Sequence, residues 1–116
     1  MPANSSKEIR SMVTSEGNIE ISIANIEMPI PGDDEVLIEV HAAPINPSDL
    51  GLLLSFAADL STINVSGSGD ETITSMKIHP ALMGAMKPRI DQSMPVGNEG
   101  SGLVIDAGTN LSLIHI

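Results

Sequence analysis

From residue 18 to residue 28 the chain alternates, with Ile19, Ile21 and Ile23 on one parity and Glu20, Ser22 and Ala24 on the other. Successive side chains of an extended backbone point to opposite sides, so a period of two gathers those isoleucines on one face of a half-buried strand. Ser15-Glu16-Gly17-Asn18 supplies turn formers just before it, which makes residues 8–14 the expected first strand of a hairpin. A chain that opens on such a hairpin is committed to a sheet.

Turn formers then cut the remainder into short pieces. Pro29-Ile30-Pro31-Gly32-Asp33-Asp34 interrupts the sheet, and residues 35–43 resume it as an apolar strand with Val36, Ile38 and Val40 on one face. Pro44-Ile45-Asn46-Pro47-Ser48-Asp49-Leu50 stops that strand, since proline donates nothing to a ladder, and offers Ser48 or Asp49 near the start of a short helix over residues 50–58. The pattern loosens over residues 59–92, where a strand at 72–78 and a helix at 80–86 are expected inside a long connection that either shapes a pocket or is a solvated insertion. Met94-Pro95-Val96-Gly97-Asn98-Glu99-Gly100-Ser101-Gly102 is a glycine-rich turn, and residues 103–108 follow as a strand. The expected class is mainly β with short helices, a barrel or sandwich rather than a doubly wound sheet, because strand and helix never alternate.

Composition narrows function. At 116 residues there is room for one domain, and with one Phe and no Trp or Tyr its core has to be aliphatic. Fifteen acidic against five basic side chains give a formal charge of −10, which repels phosphate backbones and anionic lipid; neither nucleic acid nor membrane is expected as a partner. The absence of cysteine removes disulfides, thiolate nucleophiles and thiolate metal sites together. No apolar run approaches a membrane span and no basic-then-apolar leader opens the chain, so a cytoplasmic protein is expected.

Three motifs occur in one order: Pro31-Gly32-Asp33-Asp34-Glu35-Val36-Leu37-Ile38, Asn46-Pro47-Ser48-Asp49 and Gly97-Asn98-Glu99-Gly100-Ser101-Gly102. In that order the chain resembles the N-terminal, GroES-like catalytic domain of the medium-chain dehydrogenase/reductase superfamily, in particular its quinone oxidoreductase-like branch. The resemblance implies a GroES-like partly open β-barrel over residues 1–110, of the kind found at the N-terminus of alcohol dehydrogenase-like enzymes. It also implies a nucleotide-binding α/β domain that these residues do not include. The glycines at 97, 100 and 102 read as turn glycines, because a dinucleotide fingerprint follows a strand and opens a helix, whereas this stretch precedes a strand.

Zinc-type members of that superfamily carry cysteine where Asn46 stands and histidine where Asn98 stands; an amide replaces neither, so the resemblance implies no metal. His41, His79 and His115 have no motif neighbours and read as ordinary residues. The implied chemistry is the zinc-free transfer of hydride from NADPH, or NADH, to a quinone, enone or similar carbonyl acceptor. Asn46 is then the catalytic candidate, Asn46, Ser48 and Asp49 are the cofactor-binding candidates, Glu99 is a hydrogen-bond acceptor near the cleft, and the whole enzyme is expected to be a homodimer. The alternative is a stand-alone GroES-like binding or assembly module without chemistry. Leu111-Ser112-Leu113-Ile114-His115-Ile116 equals the in-frame translation of CTG TCT CTT ATA CAC ATC, a transposon end used in sequencing libraries. Residues 111–116 are therefore expected to be a non-native tail, and residues 1–110 an incomplete domain that is inactive alone.

Overall fold

A computed structural model describes residues 5–110; the expected tail at 111–116 lies outside the described residues. The hairpin is β1 (Ser5–Val13) and β2 (Asn18–Glu27), paired antiparallel in a register that sets Val13 opposite Ile19 and Ile9 opposite Ile23. Gly17, at φ +88°, closes the turn, a conformation glycine adopts without steric cost. Strand β3 (Val36–Ala42) leads through helix α1 (Pro47–Leu53) to β4 (Ala58–Ser66) and β5 (Ile73–Ile78). A 3₁₀ segment (Pro80–Arg89), the short β6 (Met94–Pro95) and β7 (Ser101–Ala107) complete the described chain. Among the described residues no helix is long and apolar enough to cross a membrane.

The strands form two separate ladders, a five-stranded sheet in the order β4-β5-β2-β1-β6 and a two-stranded ribbon of β3 with β7. The architecture is mainly β and open, with principal extents of 52 × 29 × 23 Å. Its radius of gyration is 17.1 Å, against roughly 13 Å for a compact domain of this length.

The core sits at one end of the large sheet. Val13, Ile19, Met76 and Ile78 project from β1, β2 and β5, and Ala57 and Met86 cover them, with Leu54, Leu82, Met83 and Ile90 packed around. Burying an aliphatic side chain of this size is worth about 1.5–3 kcal/mol. Methionines fill the space that aromatic rings would otherwise occupy, which their unbranched, flexible side chains suit. Further along the same face burial fades: Ile21 is half-buried and Ile23 is exposed, so the alternating isoleucines share a face that is covered at one end only.

Four expectations need correction, the last of them in the ribbon. The helix runs over Pro47–Leu53 rather than 50–58, because Pro47 at its first position has φ already set for a helix and Asn46, not Ser48 or Asp49, takes the cap position. The segment at 80–86 is 3₁₀ and extends to Arg89, with Pro88 inside it. Residues 59–92 are neither a free loop nor a solvated insertion, since they hold most of β4, all of β5 and the buried Met76, Ile78 and Met86. Strand β4 escapes sequence reading because its ladder breaks: pairing passes from Asp59 with Lys77 directly to Asn64 with Ser75. In the gap, side chains replace the backbone. The Asp59 carboxylate accepts from the Ser61 N–H and hydroxyl at 3.0 and 2.6 Å, and Thr62 Oγ1 accepts the Lys77 N–H at 2.7 Å. Those two bonds from Ser61 hold the Asp59 carboxyl below the ordinary carboxylate range.

The ribbon has a different construction. Val36, Ile38 and Val40 do not form a buried face; all three are exposed, as are Leu103, Val104 and Ile105 of the partner strand. Backbone and polar bonds close its base instead, with Gly108 N–H donating to the Glu35 carbonyl at 2.8 Å, Asn110 N–H to the Asp33 carbonyl at 2.9 Å and Thr109 Oγ1 to the Asp33 carboxylate at 2.9 Å. Gly102 is a strand residue here rather than a turn glycine, and a Cβ on it would overlap the Glu39 carbonyl, so the two strands approach at a bulge that only glycine permits.

Candidate functional site

Two polar turns far apart in sequence meet beside α1. The first is the helix start, where Asn46 is extended at φ −95° and ψ 159° and Asp49, three residues on, reaches back so that its Oδ2 accepts the Asn46 N–H at 2.8 Å. The second turn pivots on Gly97, at φ +119°, and is tied to the sheet where Val96 N–H donates to the Ile9 carbonyl at 3.2 Å.

Amide–carboxylate bonds join the turns. Asn46 Nδ2 donates to Glu99 Oε2 at 3.2 Å, and Asn98 Nδ2 donates to Asp49 Oδ1 at 3.3 Å. Asp49 is 4% exposed, and both of its oxygens are thereby engaged. A buried carboxylate needs such donors, since an unpaired polar group in its place would cost about 1–3 kcal/mol. Asn46 is half-buried and Ser48 is exposed.

The far end of α1 is held as well. Ser11, fully buried on β1, donates through Oγ to the Leu53 carbonyl at 3.2 Å, and Arg89 Nη2 donates to the Leu52 carbonyl at 2.9 Å. A guanidinium beside the last carbonyls of a helix is favourably placed against the helix dipole. Arg89 Nε is buried without a partner among the described residues, a cost accepted to fix the other end of the group.

Between the turns and the sheet lies a cleft of about 300 Å³. Its walls are Ile9, Pro44, Ile45, Leu53 and Val96, and the carboxylates of Asp49 and Glu99 are the charged groups among its lining. Two larger hollows, of about 370 Å³ beside the ribbon and about 640 Å³ at the hairpin turn, join neither polar turn to the other. The expected site residues thus divide: Asn46 meets the cleft through Glu99, Asp49 lines it with its oxygens already occupied, and Ser48 stands at the surface.

Four contributors were not anticipated: Ile9, Leu53 and Val96 as walls, and Asn98 as the donor to Asp49. The walls carry no sequence signal, because a cleft between a strand and a helix depends on how the two pack. Asn98 carried one, as the amide donor placed next to a carboxylate in a turn that ends opposite Asp49. No protein-family model matches the chain, and no curated protein matches it at a significant level.

Proposed function

We propose that the chain is the N-terminal, GroES-like catalytic domain of a zinc-independent, NAD(P)H-dependent oxidoreductase that transfers hydride to a quinone, enone or similar carbonyl acceptor. The observation that supports this reading most directly is the junction of the Asn46–Asp49 and Gly97–Glu99 turns, two motifs of that resemblance, at the mouth of one aliphatic cleft. The nicotinamide cofactor, when bound, supplies the hydride; an electron-poor acceptor takes it without a metal if donor and acceptor carbons are aligned. The residues fit the uncharged end of such a cofactor and not its phosphates, since the charged groups at the cleft are carboxylates. The phosphates therefore belong to a nucleotide-binding domain elsewhere in the whole protein, which on this reading is a homodimer.

In this scheme Asn46 faces the nicotinamide and the substrate. Its Nδ2 is held by Glu99, which fixes the plane of the amide and leaves its oxygen as an acceptor for a carboxamide N–H. Asp49 positions Asn46 through the backbone N–H, and the aliphatic walls give the acceptor an apolar surface to lie against. Sequencing the genomic locus beyond the codon for Asn110, with reads free of library adapters, tests the reading. A frame continuing through strand, glycine-rich turn and helix supports it, and the full-length product should then oxidise NADPH with enones or quinones equally well with and without chelator.

The second reading, a stand-alone GroES-like module that binds or assembles, is favoured by one observation: the ribbon exposes apolar side chains on both of its faces. Genomic codons for Leu111 to Ile116 followed directly by a stop would select it over the enzyme.

A further inference from the structure

Resting on the reading above, we propose that Glu99 is a specificity-determining residue that confines the cleft to uncharged aliphatic ligands and turns away carboxylated ones. Free polar valences decide what the cleft can hold. Both Asp49 oxygens are taken, by the Asn46 N–H and Asn98 Nδ2, so this buried carboxylate has no strong acceptor left for a ligand. Glu99 spends Oε2 on Asn46 and keeps Oε1 without a hydrogen bond among the described residues.

No Lys, Arg or His is among the residues lining the cleft, and the nearby cations are committed elsewhere: Arg10 to Ser93 and Glu8, Arg89 to the Leu52 carbonyl. A ligand carboxylate placed against Ile45 and Val96 would meet two like charges, the buried Asp49 and the exposed Glu99, with no cation in the lining to offset them. A neutral carbonyl meets aliphatic walls without that repulsion, and an amide or alcohol also finds in Glu99 an oxygen that accepts its N–H or O–H. The walls hold no aromatic ring for stacking, so size and charge are what the cleft can read.

The matched pair crotonamide and crotonate, equal in shape and opposite in this property, tests the inference. Methyl-labelled protein of the full chain is titrated with each, and the shifts of the Ile9, Ile45, Leu53 and Val96 methyl groups are followed by NMR. Crotonamide should move these signals, crotonate should bind about tenfold more weakly, and Glu99→Gln should narrow the gap to about threefold, Asp49 being still present, while keeping the Asn46 bond. Glu16→Gln, the same charge change at the exposed hairpin turn, should leave the tenfold gap in place. Equal binding of the pair to the unaltered chain, a gap unchanged by Glu99→Gln, a gap closed equally by Glu16→Gln, or no shift at these methyl groups overturns the inference. The test reads binding alone, so a cleft that discriminates the pair while the full-length product leaves NADPH unoxidised would keep this inference and remove the proposed chemistry.

Discussion

The clamped end of the large sheet and the β3–β7 ribbon are built from the same aliphatic residue types on strands of similar length, yet they end in opposite states. At the clamped end Val13 and Ile19 have no exposed surface, while in the ribbon Val40 and Leu103 remain 61% and 58% exposed. The difference lies in what covers each one. Leu54, Ala57 and the 3₁₀ segment close over the sheet, whereas nothing among the described residues closes over the ribbon, which is held by its ladder and by polar bonds at its base. A two-stranded ribbon is marginally stable by itself in water, so burial should dominate energetics at one end and hydrogen bonding at the other.

The sharpest way to break this contrast is Ile19→Ala. The substitution should cost about 3 kcal/mol, through lost transfer energy and a residual cavity, and is read as a shift in the urea midpoint. A cost below about 1 kcal/mol would mean that the clamped end is not packed as described. Asp49→Ala comes next, at about 2 kcal/mol, since it leaves the Asn46 N–H and Asn98 amide without their acceptor and removes the N-terminal support of α1. Amide exchange should quicken at residues 97–99 while β1 and β2 keep their protection.

Val40→Lys should change stability by less than about 0.5 kcal/mol, because the side chain already lies in solvent. A loss of 2 kcal/mol there would show that the ribbon is covered in solution and that the two ends are more alike than the structure has them. The smallest effect concerns Asp59. Its carboxyl is held below the usual range by Ser61, so the stability it lends is present above the ordinary carboxylate pKa and lost as pH falls through the lowered folded-state value. Asp59→Asn should remove that small contribution at neutral pH and leave stability near pH 2 almost unchanged, flattening the acid limb slightly, as thermal melts from pH 2 to 7 would record.

The contrast also marks how far the sequence could be read. The hairpin, β3, β5 and β7 were legible within a few residues, because alternation and turn formers are local signals. Alternation says which residues share a face and not whether that face is covered: Val36, Ile38 and Val40 share one that lies exposed. Strand β4 was hidden because Asp59, Ser61 and Thr62 read as loop formers, and they do form side-chain bonds, inside a strand rather than between strands. At the site the motif residues Asn46, Asp49 and Glu99 could be named beforehand, while the walls supplied by Ile9 and Val96 follow only from how β1 meets the 97–99 turn.

Strand β1 runs from Val13 in the clamped core to Ile9 in the cleft wall, four residues apart on the same face. Mechanically it is a beam fixed at one end, and whatever the clamp allows is magnified at the tip. Softening around Val13 therefore reaches the cleft before any residue of the cleft is altered. Warming the protein toward its melting point should blur the cleft's ability to tell ligands apart well before the chain unfolds, so a substitution that tightens the core would sharpen selectivity without touching the site.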